Sequence, residues 1–255
     1  MNIARETEEI EPSLMLYYSK LAEFMVQLID IPEASVIFEP GCGHGALTAS
    51  LLPLIKRYSK YICYDFYSGV YQESLGKIRK KKMKTIVVGD VREISLCSDS
   101  IDIIFSNELL CELTRNDAQR AINEFYRVLK NKGTLVHGVL SPYPENAAQE
   151  LVILADTYSA EPIFPKQWFS PPADELAGML HKAGFSRILV NYFEETIKFE
   201  GEAAFQMLHN WVTKPEFFEK YSENVRRHGL EYPMGQIVCS KKMNYKVGKD
   251  ESYTL

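Results

Sequence analysis

Val36-Ile-Phe-Glu-Pro-Gly-Cys-Gly-His-Gly-Ala-Leu-Thr48 carries an apolar strand directly into an acidic residue, three alternating glycines and a helix start. Glycine lets a backbone turn tightly and lets a ligand come closer than a Cβ atom would permit. A helix starting near Ala46 also presents unpaired N–H groups. The order describes a nucleotide-binding loop. Gly41, Gly43 and Ala46 also satisfy the loose dinucleotide pattern G-x-G-x-x-[GA], so the glycines alone do not separate a nicotinamide enzyme from other nucleotide binders.

The acids around the loop discriminate further. Glu39 lies two residues before Gly41, Asp65 closes the apolar run from Tyr61, and Asp90 closes the run from Thr85. In an open parallel sheet the carboxyl ends of adjacent strands line one crevice, so the three carboxylates converge on a single ligand. A dinucleotide needs the second acid but not the third. With Glu-Pro-Gly-Cys-Gly-His-Gly45 as first motif, Asp65 as second acid and Gly-Asp-Val91 as third, the chain resembles the class I S-adenosylmethionine-dependent methyltransferases. The resemblance continues through Asp99–Glu108 as a fourth strand and Glu124–Val136 as helix, turn and fifth strand. It resumes at Asp174–Phe185, where Gly184 supplies a left-handed helix stop.

That resemblance implies a doubly wound, mostly parallel seven-stranded α/β sheet with a terminal antiparallel strand and helical lid insertions. It also implies S-adenosylmethionine as cofactor and S-adenosylhomocysteine as product. Asp65 would accept both ribose hydroxyls, with Phe66 covering an adenine face; the competing role of Asp65 is a helix N-cap. Asp90 would accept from the adenine amine while Val91 touches the ring, or Asp90 serves only its turn. Glu39, standing where Asp is more usual, would hold the ammonium of the amino-acid tail directly or through water. Gly41 and Gly43 permit close approach, Cys42 is a small spacer, and Asn107 serves the methionine portion.

Acceptor-side candidates are Glu108, Tyr143, His209 and Trp211, with His137 a further position for a base; Glu108 can instead cap the next helix, and His137 can be a plain strand residue. Methyl transfer is an in-line displacement at an activated carbon, so alignment supplies much of the acceleration and a dedicated base is optional. No metal-ligand spacing or Ser-His-Asp pattern points to another mechanism.

The 255 residues, 46% of them hydrophobic, suffice for one substantial core, and no Ser/Gly-rich linker divides them, which predicts a single domain over 1–255. A net charge of −5 argues against a broad nucleic-acid surface, and the basic run Lys77–Lys84 reads as a solvated helix end. Five cysteines without a C-x-x-C pair read as reduced thiols. No apolar run approaches membrane-spanning length, so the expectation is a cytoplasmic protein without nucleic-acid or membrane partners.

Beyond the sheet, Leu14, Tyr18, Leu21, Met25 and Leu28 at helical spacing predict an N-terminal cover helix over 12–30, in which Tyr17 and Tyr18 either border the cofactor cleft or pack on the core. Helices are expected at about 44–58, 68–82 and 115–130. Lid insertions are expected at 141–170, with a helical run over Glu145–Tyr158, and at 200–232, whose aromatics are either packing or pocket wall. The reading is transfer of a methyl group to a small-molecule acceptor, O-methylation ahead of N-methylation. The alternatives are a non-catalytic S-adenosylmethionine-binding regulator and a nicotinamide-dependent dehydrogenase; the oligomeric state is not legible.

Overall fold

The computed structural model describes residues 12–55, 57–66, 84–158 and 171–243. In chain order these form α1 (Pro12–Gln27), β1 (Ser35–Pro40), α2 (Ala46–Leu54), β2 (Tyr58–Asp65), β3 (Lys84–Val88), β4 (Ile101–Asn107), a 3-10 turn (Leu110–Glu112) and α3 (Arg115–Val128). There follow β5 (Leu129–Leu140), α4 (Ala147–Asp156), α5 (Ala173–Ala183), β6 (Phe185–Phe193), β7 (Lys198–Phe199), α6 (Gly201–Trp211), α7 (Pro215–His228), β8 (Leu230–Glu231) and β9 (Gly235–Lys242).

Seven strands form one sheet in the order β3-β2-β1-β4-β5-β9-β6, while β7 and β8 form a separate ribbon. The β3/β2, β2/β1, β1/β4 and β4/β5 pairs are parallel, and β9 runs antiparallel between β5 and β6. The sheet is the doubly wound, mostly parallel one expected. Order reverses at β1, where the chain passes to β2 on one side and to β4 on the other, and ligands of open α/β sheets bind at the strand ends beside such a switch.

Strand alternation divides the core into two layers. On one face Ile37, Cys63, Phe105, Val136 and Ile237 pack with Leu21 and Met25 of α1, Leu51 of α2, Leu151 of α4, Leu208 of α6 and Phe217 of α7. On the other, Phe38, Ile62, Ile104, Leu135 and Val238 pack with Ile122 and Phe125 of α3 and Leu176 and Leu180 of α5. Local signals set the helix ends. The Thr114 hydroxyl accepts from Asp117 N at the start of α3, Asn146 accepts from Ala148 N and Gln149 N at the start of α4, and Gly184 closes α5 at φ +103°.

The 200–232 insertion holds two helices that divide at Val212–Lys214, because Pro215 starts a new helix and cannot continue the old one. The expected helix at 68–82, the basic run up to Met83 and the end of the first insertion from residue 159 to 170 lie outside the described residues. The tops of α1, β4 and β5 meet at Gly138: a Cβ there would stand 2.3 Å from the Asn107 Oδ1 and 2.9 Å from the Met25 methyl carbon. Gly138→Ala therefore has to displace a polar side chain as well as a core methionine, and is expected to lower stability by about 1–3 kcal/mol in urea denaturation.

Candidate active site

The loop after β1 places Gly41, Gly43 and Gly45 at φ +70°, +47° and +81°, the left-handed region that side chains rarely adopt. Gly41 N and Cys42 N donate to the Tyr64 carbonyl at 2.8 and 3.3 Å, tying the loop to the end of β2. Gly43 N donates to Asp65 Oδ2 at 2.9 Å, so the ribose candidate and the glycine loop form one surface. The glycines have separate tasks. A Cβ on Gly41 would come within 2.7 Å of the Leu109 side chain, whereas a Cβ on Gly43 meets no atom within 4 Å. Gly41 thus serves packing, and Gly43 faces open space of the kind a closely held ligand fills.

Glu39 lies beneath the loop rather than on it. It is 1% exposed, and its Oε2 accepts from the Thr48 hydroxyl at 2.6 Å and the Tyr61 phenol at 2.5 Å. Burial pushes its carboxyl up to about 7, with the two hydroxyl donors acting in the opposite direction. Any contact with a ligand ammonium has to pass through this enclosure; what the geometry itself displays is support of the loop.

At the third strand end the Tyr64 phenol occupies the place a side chain of residue 89 would need, 2.0 Å from its Cβ, and donates to the Asp90 carbonyl at 3.2 Å. The Asp90 carboxylate accepts from Arg92 N at 2.8 Å, from Arg92 Nε, and from Arg92 Nη2 at 2.6 Å, which holds it below the usual carboxylate range. Asp90 thus has an internal partner with which an adenine amine would share it. Val91 is buried beside it and Phe66 is exposed at the end of β2.

The far side of the cleft is built where β4 ends. Asn107 bonds the Tyr18 phenol, joining α1 to the strand. Glu108 then takes φ +50°, with its N–H donating to the Gly138 carbonyl at 2.9 Å and its Oε1 accepting from Leu140 N at 2.7 Å. The Cys111 thiol lies 3.4 Å from Oε2. Burial pushes the Glu108 carboxyl up to about 7; burial first, with a smaller contribution from the Glu108 charge, also raises the phenols of Tyr17, Tyr18 and Tyr232. Tyr17 stands edge-on to both other rings, with centroids 5.8 Å apart in each case. Tyr17 therefore packs in the core and Tyr18 against it.

The remaining candidates are scattered. Tyr143 is 67% exposed, and His209 is exposed with its ring stacked on Phe218 at 4.6 Å and Nδ1 2.6 Å from the Phe205 carbonyl. The side chain of Trp211 lies outside the described residues. His137 is buried in the sheet, neither ring nitrogen has a partner, and burial pushes it down to about 3, so it is a neutral core residue. Thr48, Tyr61, Arg92, Cys111 and Tyr232 were not legible as site residues. Tyr61, inside a strand motif already singled out, carried the one usable signal, a polar tip in an apolar run.

A family described as methyltransferase domain matches residues 38–137, the span from within β1 into β5. Residues 38–137 thus carry a methyltransferase domain. A protein of Bacillus halodurans C-125 assigned as a methyltransferase has 14% sequence identity, with 87% of this chain and 98% of that one covered at a TM-score of 0.64. The YcgJ protein of Bacillus subtilis has 14% identity, 89% and 99% coverage and a TM-score of 0.63. A Thermotoga maritima methyltransferase described as a possible histamine N-methyltransferase has 17% identity, 90% and 92% coverage and a TM-score of 0.53. These likenesses are of fold. No curated protein sequence matches the chain.

S-adenosylmethionine is the methyl donor this domain implies. The residues that would hold it are those around the open side of Gly43, the Asp65 carboxylate that meets the same loop, and Asn107 at the end of β4. Asp65→Ala is expected to weaken S-adenosylhomocysteine binding by about 1–3 kcal/mol in calorimetry, the range for losing hydrogen bonds to a charged acceptor. Gly43→Val should abolish binding, because a β-branched side chain is strained at φ +47° and also enters the ligand's space, where its Cβ meets no protein atom.

Glu39 makes a separate prediction. Its folded-state carboxyl lies at about 7 against an ordinary 4.5, so its stabilising contribution is complete below about pH 4.5 and is lost as pH rises through 7. Glu39→Gln should therefore gain stability relative to wild type between pH 5 and pH 8, by about 2–3 kcal/mol. The readout is the difference between the two proteins, because buried His137, lowered from 6.5 to about 3, changes wild-type stability in the opposite sense over the lower part of that range. An identical pH dependence in both proteins counts against the buried carboxyl as its source.

Proposed function

We propose that this methyltransferase acts on a small-molecule acceptor lying beside Glu108, at an oxygen or nitrogen that gives up a proton. Bound S-adenosylmethionine supplies an activated methyl group on a sulfonium and leaves as S-adenosylhomocysteine. The observation that carries the reading is Glu108 itself: a carboxyl near 7, fixed by Leu140 N, at the strand end beside the cofactor loop. A base poised near the working pH takes up a proton effectively. An oxygen acceptor of the phenol or carboxylic acid type suits the original expectation, and the same carboxylate serves a nitrogen.

Three features support a small acceptor. Glu108 is close enough to the phenols of Tyr17, Tyr18 and Tyr232 to influence them; the net charge of −5 disfavours a nucleic-acid track; and no helix among the described residues is long and apolar enough to cross a membrane. On this reading 12–30 serves as the cover helix, with 141–170 and 200–232 as insertions that complete the enclosure within one domain, and the protein works on soluble metabolites in the cytoplasm.

Screening a metabolite library for S-adenosylhomocysteine formation tests turnover and acceptor together. With a turned-over acceptor, Glu108→Gln should lower kcat by about a hundredfold or more and remove a rise of rate with pH through 7, at unchanged KM for S-adenosylmethionine. Tight S-adenosylmethionine binding with no turnover across the library would instead favour the regulatory protein.

A further inference from the structure

We infer that Thr48 and Tyr61 are positioning residues for the cofactor: through the Glu39 carboxylate they share, their hydroxyls hold the glycine loop in the shape that receives S-adenosylmethionine. The inference rests on the cofactor reading above and is independent of which acceptor is methylated.

α2 begins without a cap of its own. Its N-cap is Gly45, in the left-handed region at φ +81°, and no side chain at that position accepts from the first turn. A first turn left in this way has N–H groups without acceptors. Here the acceptor comes from another element. The carboxylate of Glu39, in β1, takes both the N–H and the hydroxyl of Thr48, the third residue of α2. That is a position to which an N-cap side chain ordinarily reaches. Residues 40–47, and with them the whole glycine loop, are therefore closed between Glu39 and Thr48, with 2.6 Å from hydroxyl to carboxylate.

Tyr61 completes the clasp from β2. Glu39 stands opposite Cys63 in the parallel register of β1 and β2, and Tyr61, two residues earlier, lies on the same face of the sheet. Its phenol reaches the same Oε2 at 2.5 Å. Glu39 is 1% exposed, and Thr48 and Tyr61 are fully buried, so all three act on a ligand only by way of the loop they close. Core volume alone would be met by phenylalanine at 61 and valine at 48. What those residues lack is the donor. Deleting either hydroxyl leaves a buried carboxylate short of a partner and loosens the tie between β1, β2 and the first turn of α2. The loop then spends less of its time in the receptive shape, and affinity falls with that fraction. The features displaced are the open side of Gly43 and the bond from Gly43 N to Asp65.

The full-length protein is titrated calorimetrically with S-adenosylhomocysteine as wild type, Tyr61→Phe, Thr48→Val and Thr48→Ser, and the urea midpoint of each is measured alongside. Tyr61→Phe and Thr48→Val keep volume and lose a hydroxyl, whereas Thr48→Ser keeps the hydroxyl and loses a buried methyl. Affinity should fall about fivefold or more in the first two and stay within about twofold of wild type in Thr48→Ser, whichever variant is the less stable. Affinity that follows the hydroxyl rather than the urea midpoint is what a merely structural role does not produce. In the ligand-free proteins, hydrogen exchange at residues 41–48 should quicken in Tyr61→Phe and Thr48→Val by more than it does in α3, on the other face of the sheet.

Affinity within about twofold of wild type in either Tyr61→Phe or Thr48→Val overturns the shared assignment. So does an equal loss in Thr48→Val and Thr48→Ser, which makes Thr48 a packing residue. Should one of the hydroxyl deletions fail to fold, the other decides alone; failure of both makes the contact a requirement of folding and overturns its role in binding. Failure of S-adenosylhomocysteine to bind the wild-type protein overturns the cofactor reading beneath, and is seen before any variant is made.

Discussion

The Glu39 carboxylate, shared between the Thr48 hydroxyl and the Tyr61 phenol, is the contact on which the cofactor end of this molecule depends. It joins the end of β1 to α2 and β2, the three elements whose relative placement sets the glycine loop. A charge in the core is costly, and here two short hydrogen bonds and partial protonation at neutral pH offset the cost. The loop above then takes left-handed backbone at the alternating Gly41, Gly43 and Gly45, with Tyr64 and Asp65 accepting its N–H groups.

Along the strand ends, Asp90 is paired with Arg92, and Glu108 is fixed by Leu140 N. The strained backbone at Glu108 belongs to the same design: with a residue after β4 in the ordinary strand region, the carboxylate would not return to Leu140 N across the top of the sheet.

Much of the architecture was legible in the chain because it depends on local rules. Strand-glycine-helix order located β1 and α2, Gly184 located the end of α5, and alternation of β-rich and helical runs gave a parallel sheet. Asp65 and Asn107 were placed by their positions at strand ends. What was hidden depends on distance in sequence. Tyr232 reaches Glu108 only because β8 leads out of two helices that no short-range pattern ties to the cleft, and the Arg92 partner of Asp90 looks in sequence like any surface base. Glu39 was found as an acid but given an exposed task, since the pleat that turns it beneath the loop follows from strand packing rather than from motif spacing.

The insertion of β9 between β5 and β6 bears on how the chain is made. β3, β2, β1 and β4 pair only with strands already synthesised by residue 140, and so does one edge of β5. β6 emerges at residues 185–193 with no place to go, because it is hydrogen-bonded to β9 rather than to β5, and β9 appears only at 235–242. On the ribosome a half-sheet with a bare β5 edge therefore waits through about a hundred residues of synthesis, several seconds at ordinary elongation rates, before its far side can close. An unpaired edge is an invitation to other strands, so the terminal hairpin makes this protein's vulnerability to aggregation a matter of timing, concentrated in the interval before its last strand arrives.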